Sequence, residues 1–161
     1  MARQSSKLYN TAVKILLALL IIFSFTRNYK FVYSSGGSMS PTLNDPAVLI
    51  IERRADNWKP DRYDIVLIDT TNAGRITKRI IGLPGETLQV IEGVIYVNGN
   101  PLPDDPFSSH LLTIGSARLL TIDPIKIPNN SVWVIGDFRS DSVSGIYKIG
   151  EITGKSRWIL W

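Results

Sequence analysis

The chain has 161 residues, a formal net charge of +4, 44% hydrophobic residues, a single histidine and no cysteine. That length suits one domain that buries its core without covalent staples, and the lack of cysteine excludes disulfides, thiolate catalysis and Cys-type zinc sites. The charge is modest, several basic residues flank an apolar segment, and no basic helix or aromatic-basic repeat occurs, so nucleic acid is not an expected partner.

The first predicted element is that apolar segment. Residues 15–25 form an uninterrupted uncharged run, which extends back to Tyr9 if Lys14 is admitted with its ammonium snorkelling toward headgroups. From Tyr9 to Thr26 it has the length, at the short end, of a bilayer-spanning helix. Arg3, Lys7 and Lys14 precede the run and Arg27 and Lys30 follow it, a small asymmetry that favours a cytoplasmic N-terminus with the bulk of the chain outside. A cleaved secretory signal is the competing reading, and a buried soluble helix a third. No A-x-A-like site follows the run, which favours an uncleaved anchor within residues 1–30.

The stretch YSSGGSMSPTL, Tyr33 to Leu43, is poor helix and poor strand, because Gly36 and Gly37 relax the backbone while Pro41 fixes its own φ and restricts Ser40. It reads as a loop that positions the hydroxyl of Ser38. Beyond it come short apolar runs between turn residues. Strands are expected at 47–53 and 64–70, through Ile81 in RITKRIIG, at 87–91 after the break GLPG, and at 94–97, a hairpin partner between Glu92-Gly93 and Asn98-Gly99. Residues 103–124 read as a loop with one short strand near Arg118 to Ile122, and 131–137 as a buried strand followed by a polar loop. In the closing RWILW, Trp158 and Trp161 beside Arg157 suit either a membrane-interface contact or a final strand of the core. The expected class is mainly β: a compact antiparallel domain over 31–161, preceded by one N-terminal transmembrane helix.

Few catalytic devices remain. His110 stands alone in the loop-like stretch, and neither an H-E-x-x-H nor a calcium-loop pattern occurs, so no metal and no cofactor are expected. A serine activated by lysine stays available, provided burial lowers the amine's pKa. Lys78 is the candidate, since strand alternation puts Ile76, Lys78 and Ile80 on one face. Alternation alone leaves two readings open: a base turned toward the core, or an edge-strand lysine that discourages aggregation.

Taken together, the motifs resemble those of type I signal peptidases. GGSMSPTL at 36–43 is similar to the family's nucleophile box, DIVLI at 64–68 to its short strand box, KRIIGLPGE at 78–86 to the box of the general-base lysine, and GDFRSDS at 136–142 to the start of its last box, all in family order. The resemblance implies a membrane serine endopeptidase of signal-peptidase fold. In it Ser38 is the nucleophile, Lys78 the base and Ser142 the residue that orients Lys78. The Ser38 N–H meets the oxyanion, without the hydroxyl that some members carry two residues earlier, where this chain has Gly36. Gly36 and Gly37 would admit the substrate backbone and Met39 would wall the pocket. The implied partners are preprotein signal peptides, bound extended with small residues at the first and third positions before the cut, and membrane lipid. The implied location is the plasma (inner) membrane, single-pass, with the catalytic domain on the outer side.

The last box departs from the pattern: Ser144 and Ile146 stand where an Asp and an Arg are expected to pair, and Phe138 where asparagine is usual. Two alternatives arise, a dedicated pilin- or conjugation-type peptidase of the same family and an inactive homologue serving as an anchored accessory subunit. A self-cleaving repressor-type regulator shares the Ser/Lys device, but the apolar anchor and the lack of a DNA-binding segment argue against it.

Overall fold

The computed structural model of the chain describes residues 2–71, 74–102, 113–114, 118–139 and 142–160. Two compact units are present, Met1–Lys30 and Phe31–Trp161. The first holds one helix, α1 (Ala2–Asn28). Within it the 20 residues Tyr9–Asn28 have a mean hydropathy of 1.7 and none is buried, so the helix is long and apolar enough to cross a membrane.

Strands dominate the chain after this helix: β1 (Tyr29–Ser34), β2 (Ala47–Arg53), β3 (Ile65–Thr70), β4 (Gly74–Gly82), β5 (Thr87–Ile91), β6 (Val94–Val97), β7 (Asn100–Pro101), β8 (Thr113–Ile114), β9 (Arg118–Leu119), β10 (Ile122–Lys126), β11 (Ser131–Ile135), β12 (Gly145–Lys148) and β13 (Ile152–Leu160). A seven-stranded sheet runs in the order β1-β2-β13-β3-β4-β11-β12, a four-stranded one in the order β10-β5-β6-β7, and β8 pairs with β9. The strand pairs given by register are antiparallel. The fold is thus mainly antiparallel β, the class expected from the sequence.

Period-two alternation sorts the core. From β3, β4 and β11, the side chains of Val66, Ile68, Ile80, Val132 and Val134 join Ile152 in one buried cluster. The intervening residues serve two others: Leu67 packs with Met39, Leu43, Leu49 and Ile51, whereas Ile81, Trp133 and Ile135 pack under the smaller sheet with Leu88, Val90 and Ile95. Both faces of the central strands are covered, which explains why their sequences read as continuous apolar runs.

The strands expected at 47–53, 87–91 and 94–97 are β2, β5 and β6 residue for residue, and those at 64–70 and 131–137 are shortened at one end. Three corrections are needed. Tyr33 and Ser34, read as loop, close the edge strand β1. The single short strand placed at 118–122 is two: β9 ends at Leu119, and β10 runs from Ile122 through Pro124 to Lys126. Pro124 is tolerated because β10 is an edge strand with an irregular register between Ile122 and Ile125. The polar segment before Ile149 contains β12, which pairs Ile146 with Trp133. Of the two readings left open for RWILW the strand is found: Arg157–Leu160 belong to β13, a central strand that joins β2 to β3, with Ile159 packed inward, Trp158 52% exposed and Arg157 paired with Glu52. Residues 103–112, including His110, and Trp161 lie outside the described residues.

Candidate active site

Ser38 sits in a single 3-10 turn, Gly37–Met39, closed by the Ser40 N–H donating to the Gly37 carbonyl at 2.9 Å. The turn is hung on the core by Met39, which is 2% exposed among Leu43, Ala47, Leu49, Ile51 and Leu67. At its entry Gly36 has φ 107°, a conformation that L side chains rarely adopt, and its N–H donates to Asp45 Oδ1 at 3.0 Å. A Cβ on Gly37 would meet nothing within 4 Å, so the protein's own packing leaves that face of the turn open. Rigid behind and open in front, the turn suits a hydroxyl that has to be presented.

Lys78 lies on β4, paired with β3 opposite Val66 and just beyond the reach of β11, and its burial argues against the reading of a solvent-facing edge lysine. It is 5% exposed, and burial pushes its amine below the ordinary lysine pKa because desolvation penalises the ammonium. The negative charge of Asp137 opposes that shift without reversing it. Lys78 Nζ donates to Ser142 Oγ at 3.3 Å, and Ser142 Oγ also accepts the Gly136 N–H at 2.8 Å while donating to the Val143 carbonyl at 3.4 Å. Among the described residues Lys78 makes no hydrogen bond to Ser38, but both line one cleft, of about 320 Å³, walled by residues 31–36 on one side and 75–78 on the other. Along that second wall β4 keeps an open edge, because β11 pairs only as far as Ile135 opposite Arg79. The structure therefore brings Ser38, Lys78, Gly36 and Met39 to one cleft, with Ser142 bonded to Lys78 and Gly37 in the Ser38 turn.

Three features of the site were not legible as such in the sequence. Arg79, next to the lysine, makes a bidentate pair with Asp137 at 2.7 and 2.6 Å, and also donates to the Tyr63 carbonyl at 2.8 Å and to Thr42 Oγ1 at 3.3 Å. It thereby ties β4, the Ser38 loop and the chain beyond β11 together. Arg139, 3% exposed, donates to the Gly136 carbonyl at 3.2 Å. At Gly136 an added Cβ would lie 2.1 Å from the Ser38 carbonyl oxygen and 2.2 Å from Ser142 Oγ, so only glycine fits. The sequence signal was present, an Arg and an Asp each abutting apolar runs, but nothing in one dimension paired them. Of the two positions where an Asp and an Arg are expected, Ser144 is partly buried and Ile146 is 41% exposed on β12.

The model of the family "Signal peptidase, peptidase S26" matches residues 7–161. Signal peptidase I V of Bacillus subtilis is 31% identical over 136 residues, which cover 79% of each chain. Signal peptidase I T of the same organism is 31% identical over 159 residues, covering 92% of this chain and 81% of the relative. A crystal structure of a signal peptidase I from Enterococcus faecalis V583 superposes with a TM-score of 0.49 at 28% identity, over 61% of this chain and 97% of that one.

The Arg79–Asp137 pair generates a stability prediction. Arg79→Leu leaves a fully buried carboxylate without its partner and should cost on the order of 3–5 kcal/mol in urea unfolding, whereas Arg79→Met combined with Asp137→Leu should recover most of that loss. Equal losses in the single and double variants would contradict this account.

Proposed function

Since the chain belongs to the signal peptidase family, peptidase S26, we propose that it is a membrane-anchored serine endopeptidase that removes signal peptides from exported preproteins with a Ser38/Lys78 dyad. The observation that carries this reading is the cleft shared by Ser38 and a buried lysine whose pKa is lowered. Residues 1–30 serve as cytoplasmic N-terminus and single anchor, and residues 31–161 as the catalytic domain on the outer face of the membrane. The apolar helix and the basic residues before it support that orientation.

In this mechanism neutral Lys78 takes the Ser38 proton as Oγ attacks the scissile carbonyl, and the resulting ammonium returns the proton to the leaving amine. Lys78 then deprotonates the water that hydrolyses the acyl-enzyme. Ser142 has a positioning part. Its oxygen accepts one amine N–H and the Gly136 N–H while its own proton goes to the Val143 carbonyl, which leaves the amine lone pair available to Ser38. The oxyanion would lie at the Ser38 N–H, with no side-chain donor at Gly36. An extended preprotein would add a strand along the open edge of β4, and Met39 would limit the cleft to small residues before the cut. Lipid contact at the exposed Trp158 is consistent with such a substrate. The active reading is preferred to the inactive homologue because the Arg79–Asp137 pair and the Arg139 bond to Gly136 hold the residues around the site despite the changes at Ser144 and Ile146.

The deciding experiment is cleavage of a preprotein with an Ala-x-Ala site by the detergent-solubilised chain. Ser38→Ala and Lys78→Ala should each abolish cleavage, and Ser142→Ala should lower kcat by about tenfold or more with little change in KM. An undiminished rate in either of the first two removes that residue from the mechanism. Because the base must be unprotonated, kcat/KM should rise with pH and level off on the alkaline side, its midpoint below the ordinary lysine value. A profile flat across that range would exclude Lys78 as the base.

A further inference from the structure

The cleft is not the only hollow at Ser38. A second, of about 300 Å³, is lined among the described residues by Gly37, Ser38, Ser40 and Phe138, and of these only Ser38 also lines the cleft. Phe138 is fixed by its main chain: its N–H donates to the Ser38 carbonyl at 3.1 Å, and its neighbours Asp137 and Arg139 are buried and bonded. Its ring, by contrast, is unburied, with the residue 45% exposed.

A peptide lying across Ser38 has two halves. If the acyl half follows the walled cleft that contains Lys78, the leaving half departs from Ser38 on the side where the second hollow opens. Among the described residues that line the hollow none is charged, and the one large side chain is aromatic. A carboxylate or ammonium seated there would lose water without gaining a counter-ion, whereas a large apolar side chain would bury area against the ring. We propose, resting on the peptidase reading above, that Phe138 and this hollow form the subsite for the residue immediately after the cut. It selects a large apolar or aromatic side chain there. The selectivity belongs to this chain's own Phe138, since an asparagine at that position would offer no such wall.

The test uses the full-length protein in detergent and peptides identical up to the cut, with Phe, Leu, Ser or Asp directly after it. Wild-type kcat/KM should be about tenfold higher for Phe and Leu than for Ser, with Asp lowest. In Phe138→Asn the ratio of Phe to Ser should fall toward one, and in Phe138→Tyr it should be retained. These ratios are taken within one sample and do not depend on how much of a variant is folded. Equal rates for Phe and Ser in the wild type, or an undiminished ratio in Phe138→Asn, would overturn the proposal. If no peptide is cleaved, the peptidase reading falls and the subsite is judged on binding instead. Fluorescence polarisation of the labelled peptides should still rank Phe and Leu above Ser, and equal affinities would overturn it.

Discussion

The site depends on one buried ion pair. Arg79 and Asp137 sit almost entirely out of water, where neither charge is tolerable alone, and their two short hydrogen bonds join β4 to the segment after β11. Since Lys78 and Ser142 lie on those same two stretches, the pair fixes the distance between them. The third arm of Arg79, to Thr42, brings in the loop that carries Ser38. Asp137 would otherwise stand as an uncompensated negative charge near Lys78 and favour its ammonium, so the guanidinium beside it also protects the low basicity of the lysine.

Lys78 itself is held where a proton is unwelcome, a state that a small domain sustains only if its neighbours over-determine the geometry. Here the Ser38 carbonyl from the distant loop and the Arg139 guanidinium and Ser142 hydroxyl from the adjoining segment all converge on Gly136, a residue without a side chain. The Ser142 and Arg139 bonds meet the main chain of Gly136, and a side chain at that position would collide with the Ser38 carbonyl and the Ser142 hydroxyl.

Local patterns were legible in the sequence where a strand's chemistry is local. AVLIIER, TLQVI and VIYV alternate or run apolar between turn residues, and their bounds could be read directly. Lys78 stood out because a cation flanked by isoleucines has no place in a core unless it is used. What could not be read was pairing at long range. β12 is four residues with half its side chains exposed, and β10 contains a proline that only an edge position permits. Whether RWILW served lipid or core depended on which strands would flank it. The Arg79–Asp137 pair spans 58 positions, and its two members carry no spacing signal.

The placement of β13 bears on how the domain is made. It lies between β2 and β3, pairing with one from Gly154 to Leu160 and with the other from Ile152 to Lys155, so the two early strands touch in the sheet only through it. During synthesis both therefore emerge with unsatisfied edges and wait for residues 152–160, and contacts of that sequence separation are slow to form. The Ser38 loop rests on Leu49, Ile51 and Leu67, which β2 and β3 supply. The packing beneath the Ser38 loop is thus complete only once residues 152–160 have joined the two strands that supply it.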